Sequence, residues 1–92
     1  AYKNDASRQN EQNALMIVDT QGRRLGVVQI AGVLARRIVC KANSGDNMER
    51  GERFGLIMFG SRTDLYLPQG CRVEVTEGQR VKGGTTIVGR FI

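Results

Sequence analysis

The segment GDNMERGERF at residues 45–54 lies over GQRVKGGTTI at residues 78–87, and every aligned pair is 33 positions apart. Each copy has a glycine, an apolar residue three on, a second glycine six on and an apolar residue nine on. Such spacing reads as a turn, one buried anchor (Met48 or Val81), a second turn and a returning strand over residues 54–57 or 87–89. Two copies are too few for a solenoid. They predict instead a pseudo-twofold pair of glycine-turn hairpins in a closed sandwich or barrel, because paired sheets bury their apolar faces against each other.

The flanking sequence agrees with β structure. Apolar runs predict strands at residues 15–18, 24–30, 34–41, 56–59 and 63–67, the last stopped by Pro68. Residues 31–37 also fit a short helix, although the β-branched content favours the strand. Residues 19–22, DTQG, carry a turn signal. Residues 1–14 are polar, rich in Asn and Gln, and read as an arm. Twelve glycines against one proline and no tryptophan fit many tight turns and few long helices. A chain of 92 residues has room for one thin core, burying roughly 60–70% of its unfolded surface. The expected fold is therefore a single all-β domain over residues 1–92, with the arm at its start.

Hydrophobic residues at 40% and charged residues at 25% argue against a disordered or collagen-like chain. The net charge is +5 and unevenly placed: residues 1–22 hold two basic and three acidic side chains, residues 23–92 twelve and six. That sign suits an anionic partner, whether lipid surface, acidic substrate or nucleic acid. Aromatics at 5% supply few platforms for base stacking, so nucleic acid ranks last and is not an expected partner. There is no histidine, and Cys40 and Cys71 stand apart, so no metal site of ordinary spacing is expected. Both cysteines read as free thiols in a reducing compartment. The longest apolar run, residues 27–35, falls far short of the ~20 residues that a membrane span needs.

Residues 53–68 read RFGLIMFGSRTDLYLP: an apolar strand, a break at Gly60-Ser61 and a second strand. Taken alone, a glycine before a serine in such a run marks a bulge or bend at a barrel corner. Its company is more specific. FGSR at residues 59–62 is similar to the processing site of the phosphatidylserine decarboxylases, in their short form, where it stands in place of the longer enzymes' LGST. DASRQNEQN at residues 5–13 is similar to the family's AS-x-x-NER segment, with Gln12 where that pattern has Arg. VVQIAGVLARRIVC at residues 27–40 is close to its IAG-x-x-ARRI core. The glycine hairpins also resemble those of biotinyl and lipoyl carrier domains, which are barrel-sandwich hybrid folds. None of Lys3, Lys41 and Lys82 has the setting of a carrier lysine, although Lys82 lies in a turn.

The resemblance implies that the chain cuts itself between Gly60 and Ser61. Ser61 would attack the Gly60 carbonyl to give an ester, and elimination would turn residue 61 into a pyruvoyl group, the only cofactor, with no metal. That ketone would act as the electron sink for decarboxylating phosphatidylserine to phosphatidylethanolamine. A serine needs a base, which in this family is a histidine held by an aspartate, upstream of the matched segment. The chain thus resembles the C-terminal portion of a proenzyme, and residues 1–92 alone are expected to stay uncut and inactive. Arg62, beside residue 61, is a candidate for the lipid phosphate, since a guanidinium binds it bidentately. Arg36 and Arg37 are candidates for phosphate or anionic headgroups, and Asn10 and Glu11 for lining the site or capping a turn. The implied setting is the cytoplasmic face of the cell membrane, peripherally bound, with the upstream half as partner and a homo-oligomer plausible on account of the thin core. The competing reading is a non-catalytic barrel-sandwich module that binds or carries.

Overall fold

Alternation along residues 24–30 buries Val27 and Gln29 and half-buries Leu25 on one face, while Gly26, Val28 and Ile30 take the other. This strand is the centre of the architecture. The computed structural model describes residues 11–32, 37–58 and 60–92, in which all regular elements are strands: β1 (Gln12–Val18), β2 (Arg24–Ile30), β3 (Ile38–Cys40), β4 (Gly55–Ile57), β5 (Arg62–Tyr66), β6 (Arg72–Val73) and β7 (Gly89–Arg90). β2 lies between β1 and β5 in an antiparallel sheet, while β3 pairs with β4 and β6 with β7. The register sets Gln12 and Arg62 on either side of Ile30, and Met16 and Tyr66 on either side of Gly26.

β1 begins at Gln12, three residues before the expected start at Leu15. Pairing with the central strand recruits the end of the polar arm, and the Asn13 side-chain amide donates to Gln29 Oε1 at 3.0 Å across the pair. The core is thin. Among the described residues the buried apolar side chains are Val27 and Ala31, and no large side chain is fully buried. On the opposite face of the sheet Met16, Val18 and Tyr66 remain 65, 57 and 60% exposed. The radius of gyration is 14.5 Å, against about 12 Å for a self-contained domain of this length.

The two sequence copies are two equivalent ribbons. The first is the loop between β3 and β4, the second the loop between β6 and β7. Gly45, Gly51, Gly78 and Gly84 all have positive φ, between 77° and 93°. Each is the third residue of a turn closed by a backbone bond: Asp46 N to Asn43 O, Glu52 N to Glu49 O, Gln79 N to Thr76 O and Thr85 N to Lys82 O. This is the type II pattern, where a side chain at the third position would be strained. Asp46 Oδ2 accepts from Asn43 N, and Gln79 Oε1 accepts from Thr76 N in the same place. At the base of the loops, Lys41 N donates to Phe54 O and Glu74 N to Val88 O. The second loop holds one residue more, so Lys82 N finds Thr86 Oγ1 where Glu49 N finds Glu52 Oε1.

Three expectations change. Met48 and Val81 are not buried anchors but 39 and 52% exposed, because the two tight turns of each loop are held by backbone and polar side-chain bonds. The ribbons belong to separate small sheets in the described residues, so the all-β class stands without a closed barrel. The strand expected over residues 34–41 is seen only as β3, Ile38–Cys40; residues 34–36 lie outside the described residues, as does Lys3. Cys40 and Cys71 are free and half-buried.

The β1–β2 turn depends on one carboxylate. Asp19 Oδ1 accepts from Gln21 N and Arg23 N, Oδ2 pairs with Arg23 Nε at 2.6 Å, and Gly22 N donates to Asp19 O. Desolvation pushes this carboxyl up, but the Arg23 and Gln21 amides and the Arg23 guanidinium outweigh it and hold the group below the ordinary aspartate range. A carboxylate with a depressed folded-state pKa stabilises the fold above its unfolded-state pKa and loses that contribution as the pH falls through the folded value. Melting temperature is therefore expected to drop on acidification below the ordinary aspartate range, and Asp19→Asn to flatten that part of the profile. Equal slopes for the two proteins in melts followed by circular dichroism would contradict it.

Candidate functional site

Antiparallel pairing of Ile30 with Arg62 brings the residues just past the end of β2 against those just before β5. Residues 31–32 thus meet residues 60–61. Ser61 N donates to Met58 O at 3.1 Å, and Gly60, at φ +83°, is the third residue of that turn, the same device as in the two ribbons. The Gly60-Ser61 break is a tight turn at the entrance of β5. Ser61 is half-buried, and its Oγ accepts a hydrogen bond from Gly32 N at 3.0 Å. Its own hydroxyl hydrogen is left for another acceptor.

The two glycines are required for different reasons. Around Gly60 there is open space, and φ alone excludes a side chain. At Gly32 the obstacle is contact: a Cβ would collide with Gly60 O and lie 2.7 Å from Gly60 C. The backbone of the IAG segment therefore rests directly on the peptide that joins Gly60 to Ser61.

Glu11 holds this arrangement from below. Its carbonyl accepts from Ala31 N at 2.9 Å, one step beyond the β1–β2 ladder. Its carboxylate accepts from Ile38 N at 3.1 Å and pairs with Arg37 Nε at 3.0 Å. One residue thus bonds to Ala31 through its carbonyl and to Arg37 and Ile38 through its carboxylate.

Of the residues singled out in the sequence, Gly60 and Ser61 form the turn, and Glu11 bonds to Ala31, the neighbour of Gly32. Arg37 joins them through Glu11, with 83% of its side chain exposed. Arg62 points along β5 to Asp64, with Nε 3.0 Å from Oδ1, so Asp64 is that arginine's partner. Asn10 and Arg36 lie outside the described residues. Gly32 is not among the residues singled out, and its place beside Ser61 follows from strand register, which the sequence alone does not display. Among the described residues, one groove is lined by Leu15, Val18, Met48 and Phe54 and another by Arg23, Cys71 and Phe91.

The all-β scaffold thus presents the Gly60–Ser61 peptide to a backbone donor, the Gly32 amide. The phosphatidylserine decarboxylase family model matches residues 1–89. The phosphatidylserine decarboxylase proenzyme of Gluconobacter oxydans is 55% identical over 86 residues, 94% of this chain and 38% of the relative. That of Gluconacetobacter diazotrophicus is 58% identical over 86 residues with the same shares, and that of Solidesulfovibrio magneticus 51% over 85 residues, 92% and 40%. No solved structure matches the chain. The chain belongs to the phosphatidylserine decarboxylase family, and it spans about two fifths of the length of these relatives.

The site geometry makes a graded stability prediction. Gly60→Ala meets only the left-handed backbone and is expected to cost about 1–2 kcal/mol. Gly32→Ala drives backbone against backbone and is expected to cost more, with β2–β5 pairing loosened. Urea midpoints of the two variants would test the ranking, and a Gly32→Ala midpoint equal to that of the parent would rule out the close approach.

Proposed function

We propose that the complete protein decarboxylates phosphatidylserine to phosphatidylethanolamine with a pyruvoyl group formed at Ser61, after the Gly60–Ser61 bond is cut. The observation that carries this reading is the Ser61 hydroxyl, bonded to the Gly32 amide, with the Gly32 backbone lying against the Gly60 carbonyl. These residues fit the group: a half-buried serine, a left-handed glycine before it and a donor on its oxygen.

Ser61 Oγ attacks the Gly60 carbonyl carbon. The Oγ–C bond forms, the C–N bond breaks, and the hydroxyl proton passes by way of a base to the freed amine of residue 61. The base then takes the Cα proton of residue 61 and the Cβ–Oγ bond breaks, so Gly60 leaves as a carboxylate. Water converts the remaining dehydroalanine to the ketone, with loss of ammonia. Since the chain has no histidine, the base belongs to the part of the proenzyme outside these residues, and residues 1–92 alone stay uncut and inactive. Once formed, the ketone supplies the electron sink for loss of carbon dioxide.

Arg62, next to that ketone, takes the lipid phosphate. Its pairing with Asp64 is exposed and weak, so phosphate can replace the carboxylate. Arg36 and Arg37 contribute at an anionic surface, where each basic residue is worth ~1 kcal/mol. Asn10 completes the substrate contacts. In the complete protein the two glycine ribbons close into a barrel-sandwich hybrid, and the open apolar face of the β1-β2-β5 sheet is covered by the rest of the proenzyme or by a second copy. The enzyme acts as a peripheral protein on the cytoplasmic face of the membrane.

The test is the mass of the full-length protein. The unsubstituted chain is expected to split, with a smaller piece beginning at residue 61 that reacts with borohydride as a ketone does. Ser61→Ala is expected to remain one chain and to lose decarboxylation of phosphatidylserine by at least several hundredfold, the scale of losing a covalent group. A whole chain that still decarboxylates would exclude the pyruvoyl route, and a whole, inactive chain would leave a binding module.

A further inference from the structure

We propose, on the reading that the Gly60–Ser61 bond is cut, that the Gly32 amide is the anion-stabilising donor in the elimination that completes that cleavage. Glu11 is the positioning residue that fixes it. Ser61 Oγ carries developing negative charge as the departing carboxylate oxygen when the Cβ–Oγ bond breaks, whereas in the first step that charge develops on the Gly60 carbonyl oxygen. Gly32 N lies 3.0 Å from Ser61 Oγ. A backbone N–H donates but cannot take up a proton, so it stabilises the departing oxygen and leaves every proton transfer to the base.

Two features give this donor its fixed aim. First, Gly32 is in backbone contact with the scissile peptide, a Cβ at this position falling 2.7 Å from Gly60 C, so no intervening water or side chain separates them. Second, Ala31, next to Gly32, is held by the Glu11 carbonyl, while the Glu11 carboxylate accepts from Ile38 N and pairs with Arg37. Donors held in place before reaction lose nothing to reorganisation as charge develops. The Glu11 carboxylate is committed to Ile38 and Arg37, which moves it from the expected substrate contact to a structural brace for the self-cleavage chemistry.

The test uses the full-length proenzyme with the Gly32 N–H replaced by an ester oxygen, through an α-hydroxy acid at position 32, and follows cleavage with hydroxylamine present. Hydroxylamine captures the ester at Gly60 and leaves a fragment that begins with Ser61, whereas elimination leaves one that begins with the ketone. Among fragments that begin at residue 61, formation of the ketone-ended one is expected to slow roughly 100-fold, and the share of the serine-ended one to rise severalfold. Glu11→Ala is expected to move both readouts the same way. Glu11→Gln keeps an acceptor for Ile38 N–H and is expected to restore ketone formation to within about fivefold, because the exposed pair with Arg37 adds little. An unchanged fragment ratio in the ester-substituted protein, at any rate of cleavage, overturns the role of the amide. An unchanged rate and ratio in Glu11→Ala overturns the brace. If the unsubstituted proenzyme never splits, it is the cleavage reading that fails, a distinguishable result.

Discussion

Everything near Ser61 depends on the antiparallel pairing of β2 with β5. Five residue pairs, from Gly26–Tyr66 to Ile30–Arg62, fix the register. A slip of one residue would turn every side chain of β5 to the other face and carry Ser61 away from Gly32. Glycine at position 32 is a consequence of this pairing, since two backbones that continue past the last pair run into each other. The same constraint explains why the site is built from main-chain groups and one hydroxyl, with the ionised side chains set around it.

The energetics favour backbone order over side-chain burial. Val27, Gln29 and Ala31 are the buried residues of the central sheet, and the ion pairs of Arg23, Arg37, Arg62, Arg72 and Arg90 are all partly exposed. Pairs of that kind contribute little each. The turns supply the remaining definition, since glycines with positive φ and matched side-chain caps fix the two ribbons locally. Met16, Val18 and Tyr66 leave an apolar sheet face open, an arrangement suited to a piece of a longer protein whose relatives are about two and a half times its length.

Much of this was legible in the sequence because it is local. The 33-residue offset between the two glycine segments predicts equivalent turns, and the hydrogen bonds recur at that offset until the extra residue near Thr86 shifts them by one. Gly60-Ser61 stood out through its neighbours, FGSR among them. Reading Met48 and Val81 as anchors failed for a physical reason: an apolar residue between two tight glycine turns is not obliged to face inward when polar bonds already close both turns. The early start of β1 escaped notice because Gln12 and Asn13 are polar, and a strand partner was needed to order them.

The sequence by itself determined the all-β class, the positions of the turns and the serine around which the site is built, since these follow from backbone preferences of single residues and short spacings. Tertiary structure decided which atoms surround that serine. Gly32 and Ser61 are 29 positions apart, Glu11 is bonded 27 positions away to Ile38, and nothing in the local pattern of any of these segments names its partner. Strand register does so, because hydrogen bonds between strands act at a distance along the chain that periodicity cannot measure.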